Sequence, residues 1–312
     1  MKNFFALIIC VALIISGCGN EKISEPSHYE RTEKIMGTLV TLKAQGKNSQ
    51  AAVDESFNEI FTLIENIKVD VKNLNESAGN GEFVKVSADV FEMLKLSQHY
   101  SELTDGAFDV TVGAAVDLWR NARKSETLPA PEEIDAVKNL VSYKHLHLNE
   151  SEQSAMIDTA GVKINLGGVG KGYGADIARK IFIKHGITDG IIDFGTSSIF
   201  VFGKKKIGIK NPRNENEIAQ VLELENAALS TSGDYEQFFI VDGRRYHHII
   251  NPKTCSPTDN GIASVSVAIP SDVEYCSAVA DISSTAILVL GEEYSKEFLK
   301  SLPAESVIIN KI

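Results

Sequence analysis

Cysteine is scarce in this chain. The 312 residues include four cysteines, and two of them, Cys10 and Cys18, lie near the N-terminus. The other two, Cys255 and Cys276, are too few for the framework of several disulfides by which small secreted domains compensate for a small core. With 43% hydrophobic residues, the chain can instead bury a core of its own. We expect two free thiols, with a single bridge as the alternative.

Positive charge is also in short supply. Lys and Arg number 31 against 42 Asp and Glu, which gives a net charge of -11. Nucleic-acid phosphates are bound by basic surfaces, so this composition argues against nucleic acid as a partner. To bind an anionic small molecule, such a protein would need backbone amides or a metal ion at the binding site.

The leading hydrophobic run, residues 4–15, is short. A helix that crosses a bilayer takes about 20 apolar residues, whereas a lysine followed by a shorter run is typical of a signal peptide, here residues 1–17. The letters Ile-Ser-Gly before Cys18 resemble a bacterial lipobox, and an ordinary signal peptide is the alternative. A lipid on Cys18 would anchor the protein to a membrane surface outside the cytoplasm. A polar tether would then span residues 18–28, and a folded domain residues 29–312.

Apolar periodicity predicts alternating short strands and amphipathic helices. The letters Asp242-Gly243 lie between two apolar runs and predict a hairpin, because they supply the positive φ angles of a type I′ turn. Short strands in hairpins beside separate helices favour an α+β architecture over a doubly wound parallel sheet. We expect strands at 35–42, 162–166, 190–194, 199–203 and 263–269, and helices through Phe57, Ile60, Phe61, Ile64 and Ile67, from about 87, and at 129–141, 175–185 and 281–290.

A glycine-rich stretch, residues 167–174, lies between a predicted strand and a predicted helix. Such a turn brings backbone close to a ligand, and the helix N-terminus beyond it offers free N–H groups to phosphate oxygens. A nucleotide is the expected ligand, and a purely structural turn is the alternative. The pattern Gly170-x-Gly172-x-x-Ala175 also fits a dinucleotide fingerprint, whereas a Walker A loop is excluded because Asn165 occupies the place of its first glycine.

Three oxygen-bearing residues, Asp281, Ser284 and Thr285, have the spacing i, i+3, i+4. On a helix this spacing places their side chains on one face. A carboxylate with hydroxyls suits a hard cation such as Mg²⁺, which also bridges to phosphate. Asp281 at a helix start could alternatively cap free N–H groups.

Two further polar residues are candidates for chemistry. His248 titrates near neutral pH and could act as an acid, a base or a phosphate hydrogen-bonder, or simply pack in its hairpin. Strand alternation sends His247 and His248 to opposite faces, so one of them is expected in a given site. Asp109 could bind a ribose hydroxyl or cap a turn. Ser232 belongs to a segment that reads as a cap or turn and could face a ligand.

Together these segments resemble, in order and spacing, the ApbE family of FAD:protein FMN transferases over about residues 36–302. The five segments are Asp105-Gly106-Ala107-Phe108-Asp109-x-Thr111-Val112-Gly113, Leu166-Gly167-Gly168-x-Gly170-Lys171-Gly172-Tyr173, Ser230-Thr231-Ser232-Gly233-Asp234-Tyr235-Glu236, Arg245-Tyr246-His247-His248-Ile249-Ile250-Asn251-Pro252-Lys253-Thr254 and Ala280-Asp281-x-x-Ser284-Thr285-Ala286. The resemblance implies one catalytic unit of two closely packed subdomains, with mixed and antiparallel sheets and flanking helices.

The resemblance also implies an activity. The enzyme would split FAD, its substrate, with Mg²⁺, pass FMN to a Thr or Ser hydroxyl of an acceptor protein and release AMP. The acceptor would be an extracytoplasmic electron-transfer subunit. The implied metal positions are Asp281, Ser284, Thr285 and the Gly170 carbonyl, the implied FAD contacts are Met36, Ala107, Phe108, Asp109, Gly167, Tyr173 and His248, and the implied catalytic residues are His248 and Asp281.

The chain departs from the family pattern in a few places. Asn251 and Cys255 replace an aspartate and a glycine, Gly195-Thr196-Ser197 replaces a more usual Gly-Gly-Asn or Gly-Gly-Asp, and residues 69–79 form a shortened flavin-side loop without an aromatic residue for stacking. Two alternative functions therefore stay open. One is Mg²⁺-dependent hydrolysis of FAD to FMN and AMP, and the other is a flavin-binding lipoprotein without catalysis.

Overall fold

The computed structural model describes residues 28–195 and 197–312. The predicted signal peptide and Cys18 lie outside these residues, as does the predicted tether except for His28. Among the described residues, no helix is both long enough and apolar enough to cross a membrane.

Helices and strands alternate irregularly along the chain. The helices are α1 Ser49–Ser77, α2 Ala88–Leu103, α3 Gly113–Ser125, α4 Pro131–Lys138, α5 Gly170–Lys184, α6 Cys276–Tyr294 and α7 Lys296–Ser301, with a 3-10 turn at Tyr143–His145. The strands are β1 His28–Ile35, β2 Thr38–Gln45, β3 Val84–Lys85, β4 Leu146–Asn149, β5 Ser154–Ile157, β6 Asp189–Phe194, β7 Ser198–Asn211, β8 Asn214–Gly233, β9 Phe238–Val241, β10 Arg244–His247, β11 Ile250–Asn251, β12 Ser256–Pro257, β13 Ile262–Pro270 and β14 Ser306–Lys311.

A seven-stranded sheet in the order β1-β2-β6-β7-β8-β13-β14 forms the centre of the fold. Each neighbouring pair in this sheet is antiparallel. The α+β prediction is therefore confirmed. The Rossmann interpretation of the glycine stretch is wrong, because a dinucleotide fold needs a parallel sheet.

One face of the sheet packs against helices. Leu42 of β2 lies opposite Ile192 of β6 in the register, and both are fully buried. They belong to the same hydrophobic core as Phe57 of α1 and Phe182 of α5. Helix α6 packs against α5 and against β8 and β13, so its buried polar residues lie beside the strands of the sheet centre.

The β7–β8 hairpin covers part of the opposite face. Val201 and Leu229 of its base form a second core with Ile209 and Leu224 of its outer half, and with Ala268 of β13. The 20 residues of β8 would span roughly 65 Å if straight.

The tip of this hairpin nevertheless contacts the far end of its own second strand. Arg213, in the turn, donates two hydrogen bonds to Asp234, at 2.8 and 2.7 Å. The hairpin must therefore bend and fold back, and Gly203 at φ 67°, beside a register shift, lies where the bend begins.

Several predicted elements are confirmed. Helix α1 buries Phe57 and Ile60 and half-buries Ile64 and Ile67, as predicted, whereas Phe61 of the predicted stripe is 41% exposed. Helix α2 begins directly after Ser87, as predicted. The β9–β10 hairpin has the two-residue turn predicted from its Asp-Gly pair. Val241 pairs with Arg244, and the φ angles of Asp242 and Gly243 are 50° and 76°.

Other predictions were wrong. The predicted strand at 35–42 is two strands joined by a turn, with Met36 and Gly37 at positive φ. The predicted strand at 162–166 contributes a single bridge, Val112 to Lys163. Helices α5 and α6 each begin five residues before the predicted start. Their first turns pack on each other, and neither helix is capped by the side chain of its own N-cap residue.

Candidate active site

A cavity of about 740 Å³ opens beside the glycine-rich turn. Its walls come from the β1–β2 turn, the loop before α3, the start of α5, the end of β8, the β9–β10 hairpin and the buried side of α6. Of the eleven positions that the family resemblance implies for FAD, metal or catalysis, nine line it, namely Met36, Ala107, Phe108, Asp109, Gly167, Gly170, His248, Asp281 and Thr285.

The glycine-rich turn and α6 meet at one end of this cavity. The backbone N–H of Gly172 donates to Asp281 Oδ2 at 3.0 Å. A side chain at Gly172 would collide with the Ser277 carbonyl and would place its Cβ 2.7 Å from the Ala278 Cα. Glycine is thus required here because α5 and α6 pack backbone against backbone.

Asp281 is a buried carboxylate with few partners. It is 4% exposed and lies in the second turn of α6, so the capping interpretation is wrong. Burial raises its pKa, and the charge of Lys171 and the hydrogen bonds from the Gly172 N–H and the Ser198 side chain oppose that rise. A buried carboxylate that lacks a close cationic partner favours the binding of a cation.

Three hydroxyl groups continue the site from Asp281 towards β8. Ser232 Oγ lies 2.8 Å from Ser284 Oγ and 3.0 Å from Thr285 Oγ1. Ser284 also donates to the Asp281 carbonyl at 3.0 Å and does not line the cavity. Ser284 therefore supports the site from behind, whereas Thr285 faces it. The sequence identified Ser232 as a cap or a ligand contact, and its position between the two hydroxyls favours a role in orienting Thr285.

The residues at this end suit a hard cation. The described residues contain no group of three or more His, Cys, Asp or Glu side chains arranged to bind a metal ion. Asp281, the Thr285 hydroxyl and the Gly170 carbonyl instead offer oxygen donors only. A Cβ on Gly168 would lie 3.9 Å from Thr285 Oγ1 and 3.0 Å from a Phe108 ring carbon, so the bare glycine turn leaves space beside that hydroxyl. Oxygen ligands of this kind fit Mg²⁺.

The two adjacent histidines differ in their burial. His247 is buried, and both ring nitrogens are engaged, Nε2 with the Thr258 carbonyl at 2.8 Å and Nδ1 with the Ile249 N–H at 3.3 Å. Both histidines contribute to the cavity wall, so alternation does not exclude either of them. His248 keeps an exposed ring, which makes it the histidine available for chemistry.

The environment of His248 favours its neutral form. Surrounding protein atoms, His247 and the positive charge of Lys171 lower the pKa of His248 to about 4. With its pKa lowered, the imidazole of His248 is neutral at pH 7. A neutral imidazole can accept a proton.

Two predicted FAD contacts are placed differently by the structure. Asp109 lines the cavity, but its Oδ1 accepts hydrogen bonds from the Thr111 N–H and hydroxyl, each at 2.7 Å, as the capping alternative requires. Tyr173 does not line the cavity. Its hydroxyl donates to Asp89 at 3.1 Å, and its ring stacks on Tyr275 with centroids 5.4 Å apart.

Aromatic side chains that the sequence did not single out form another wall. Trp119 stacks on Tyr246 with ring centroids 5.6 Å apart, and Phe239 packs against both rings. The shortened segment 69–79 is largely the end of α1, whose Ile67 and Val71 line the cavity. Apolar surface for a planar ring therefore exists, although it comes from segments distant in sequence.

The departures from the family pattern are compatible with the local backbone. Asn251 Oδ1 accepts the Lys253 N–H at 2.9 Å, as an aspartate would. Cys255 has φ 52°, a value that explains why glycine is usual there, and its carbonyl accepts the Trp119 indole N–H at 2.8 Å. Gly195 and Ser197 line the cavity, whereas Thr196 lies outside the described residues.

Comparison with known proteins agrees with this geometry. A model of the ApbE family matches residues 36–309. Curated relatives named FAD:protein FMN transferase include those of Treponema pallidum (strain Nichols), 27% identical over 95% of this chain and 88% of the relative, and Escherichia coli (strain K12), 27% identical over 94% and 88%. The crystal structure of the ApbE protein of Thermotoga maritima is 30% identical, covers 90% of this chain and 94% of its own, and superposes with a TM-score of 0.77. The chain therefore belongs to the ApbE family.

Proposed function

We propose that this protein transfers FMN from FAD to a Thr or Ser hydroxyl of an acceptor protein in a Mg²⁺-dependent reaction. The observation that carries the proposal is the contact between Gly172 and Asp281, because the glycine-rich turn lies beside a buried carboxylate. The relatives named FAD:protein FMN transferase support the same activity. The cavity volume lies within the range of about 300–1,000 Å³ found for small-molecule and cofactor sites.

The cation would be bound by the Asp281 carboxylate, the Thr285 hydroxyl and the Gly170 carbonyl. When bound, Mg²⁺ neutralises charge on a diphosphate and on its leaving group. In the first turn of α5, the N–H groups of Gly170, Gly172 and Tyr173 donate to the Leu166 carbonyl, the Asp281 carboxylate and the Val169 carbonyl. The N–H of Lys171, which has no partner among the described contacts, would be the one to donate to a phosphate oxygen. Lys171 adds a positive charge there, which an acidic protein needs in order to bind an anion.

The remaining step is a displacement at phosphorus. The acceptor oxygen forms a bond to the phosphorus on the flavin side of FAD, and the bond from that phosphorus to the bridging oxygen breaks. AMP leaves with the bridging oxygen, and the acceptor hydroxyl loses its proton. The neutral, exposed imidazole of His248 accepts that proton in our scheme. The apolar wall of Trp119, Tyr246 and Phe239 and the α1 side chains limit water in the rest of the cavity.

The test is incubation of the purified protein with FAD and Mg²⁺, with and without a candidate acceptor that carries an exposed Thr or Ser. Transfer yields AMP together with flavin fluorescence on the denatured acceptor. AMP with free FMN only would replace transferase by hydrolase, and FAD binding without AMP would favour the non-catalytic alternative. Chelation of Mg²⁺ is expected to abolish AMP release.

We also propose that Cys18 carries a lipid anchor and that the protein acts outside the cytoplasm, on an electron-transfer subunit. The lipobox letters before Cys18 and the short hydrophobic run support this proposal. Cys18→Ser should move the protein from the membrane fraction to the soluble fraction and abolish the incorporation of labelled fatty acid. Unchanged fractionation together with unchanged labelling would contradict the anchor.

A further inference from the structure

Three residues with permanent positive charge line the cavity, and they differ in how that charge is compensated. Arg120 forms an ion pair with Asp117 at 2.8 Å. Lys171 and Arg123 have no carboxylate within 4 Å among residues 28–195 and 197–312. Lys171 lies at the cation-binding end already described. Arg123 lies on another wall, in the last turn of α3.

Arg123 is held in a defined position by a neutral group. Its Nη1 donates to Gln237 Oε1 at 2.7 Å. An amide oxygen orients the guanidinium but does not cancel its charge, and most of the N–H donors of the guanidinium are left without a described protein partner. The side chain is half-buried, and its hydrogen bond to Gln237 is exposed to solvent, so the guanidinium is accessible to a ligand.

Gln237 connects Arg123 to the reacting end of the cavity. The Gln237 carbonyl accepts the His248 backbone N–H at 2.9 Å, so the residue that orients the guanidinium also fixes the histidine backbone. The positive charges of Lys171 and Arg123 both contribute to the lowered pKa of His248. The imidazole therefore lies within electrostatic range of two cations that come from different walls.

Lys171 and Arg123 thus face one cavity without a carboxylate at ion-pair distance, in a protein of net charge -11. An anionic ligand would complete this arrangement. We propose that Arg123, oriented by Gln237, is a second anion-binding group of the cavity and binds an oxyanion of a ligand beside His248. The ligand identities rest on the proposed function. The oxyanion is either a phosphate oxygen of FAD or a carboxylate of the acceptor protein, and a guanidinium binds both in the same forked geometry.

The test compares Arg123→Gln with Arg120→Gln. Both variants remove one positive charge from the same helix and the same cavity, but Arg120 already has a carboxylate partner. FAD and inorganic pyrophosphate binding are measured by calorimetry in Mg²⁺, followed by AMP release without acceptor and by the KM for acceptor. We expect Arg123→Gln to weaken FAD and pyrophosphate binding, or to raise the acceptor KM, by about 10-fold more than Arg120→Gln does. Arg123→Lys should lie between Arg123→Gln and the unaltered protein.

The results separate the two sources of the oxyanion. Weaker binding of FAD and pyrophosphate assigns Arg123 to the diphosphate, whereas unchanged FAD binding with a raised acceptor KM assigns it to an acceptor carboxylate. Equal behaviour of Arg123→Gln and Arg120→Gln in every measurement would overturn the proposal, provided that thermal unfolding shows both variants folded. If the unaltered protein binds FAD but releases no AMP, the proposed function fails and the binding comparison alone decides the role of Arg123.

Discussion

The backbone amide of Gly172 and the carboxylate of Asp281 are hydrogen-bonded at 3.0 Å, although they are 109 residues apart in the chain. The contact exists because α5 and α6 approach so closely that Gly172 has no space for a Cβ. The position of the candidate cation ligand is therefore determined by helix packing and not by a flexible loop. Activity and helix packing can be separated by two aspartate substitutions.

Asp281→Asn should remove activity without unfolding the protein. The amide oxygen of asparagine can still accept the Gly172 N–H, but the negative charge is lost. We expect AMP release from FAD to fall by about 100-fold or more. The thermal midpoint should be unchanged or slightly higher, because burial raises the pKa of Asp281 and so disfavours the charged carboxylate. AMP release at near the original rate, measured by chromatography, would show that Asp281 is not a cation ligand.

Asp176→Asn should have the opposite effect. Asp176 is a buried residue of α5 that does not line the cavity, and its carboxylate accepts the N–H groups of Ser277 and Ala278 at 3.1 and 2.9 Å. Asp176 thereby accepts hydrogen bonds from backbone N–H groups at the start of α6 that have no acceptor within their own helix. Asparagine offers a single acceptor oxygen, so we expect a loss of about 1.5–3 kcal/mol in the free energy of unfolding. Denaturant titration measures this loss. A stability equal to that of the original chain would contradict the capping role.

His248 should titrate below the usual histidine pKa. Removing a nearby positive charge makes the imidazolium less unfavourable, so the substitutions Lys171→Met and Arg123→Gln should each raise the pKa of His248. NMR titration of the imidazole in the absence of metal gives these values directly. The matched variant Arg120→Gln should leave the His248 titration nearly unchanged, and a pKa of His248 at or above about 6.5 in the unaltered protein would contradict the described environment.

Cys255 and Cys276 should resist thiol reagents in the native state. Both are fully buried and unpaired. Burial raises the pKa of Cys255 to about 11 and that of Cys276 to about 12, and the thiolate is the reactive form. In a chain with Cys10 and Cys18 replaced by serine, a disulfide reagent at pH 8 should label neither thiol until denaturant is added. Rapid labelling of the folded protein would show that these residues open to solvent.

Local sequence signals predicted those features of the fold that local chemistry determines. The hairpin register follows from the positive φ angles at Asp242 and Gly243, and the helix α1 follows from its apolar stripe. The predicted helix at 281–290 ends where the regular helix does, because the next residue, Gly291, has φ 81° and breaks the helical backbone of α6. The turn at Met36 was missed because the residues on both sides of it alternate like one strand.

The parts of the site that were missed depend on contacts between distant segments. Trp119 lies on α3, a helix without a side-chain cap at its start, and its stacking partner Tyr246 lies on the β9–β10 hairpin. No pattern within either segment predicts that the two rings meet. Tyr173 is placed outside the cavity wall for a related reason, because a helical residue next to a glycine-rich turn can equally face the core, as Tyr173 does towards Asp89.

The folded-back β7–β8 hairpin has a fixed length as a consequence of the ion pair at its tip. Arg213 reaches the carboxylate of Asp234, which is 5% exposed, only because the number of residues in both strands matches the curvature of the bend. Inserting two residues into each strand would move the turn by roughly 6–7 Å. Asp234 would then keep a single, more distant guanidinium, that of Arg245 at 3.7 Å. Natural variation in this hairpin should therefore change its surface residues freely but conserve its length.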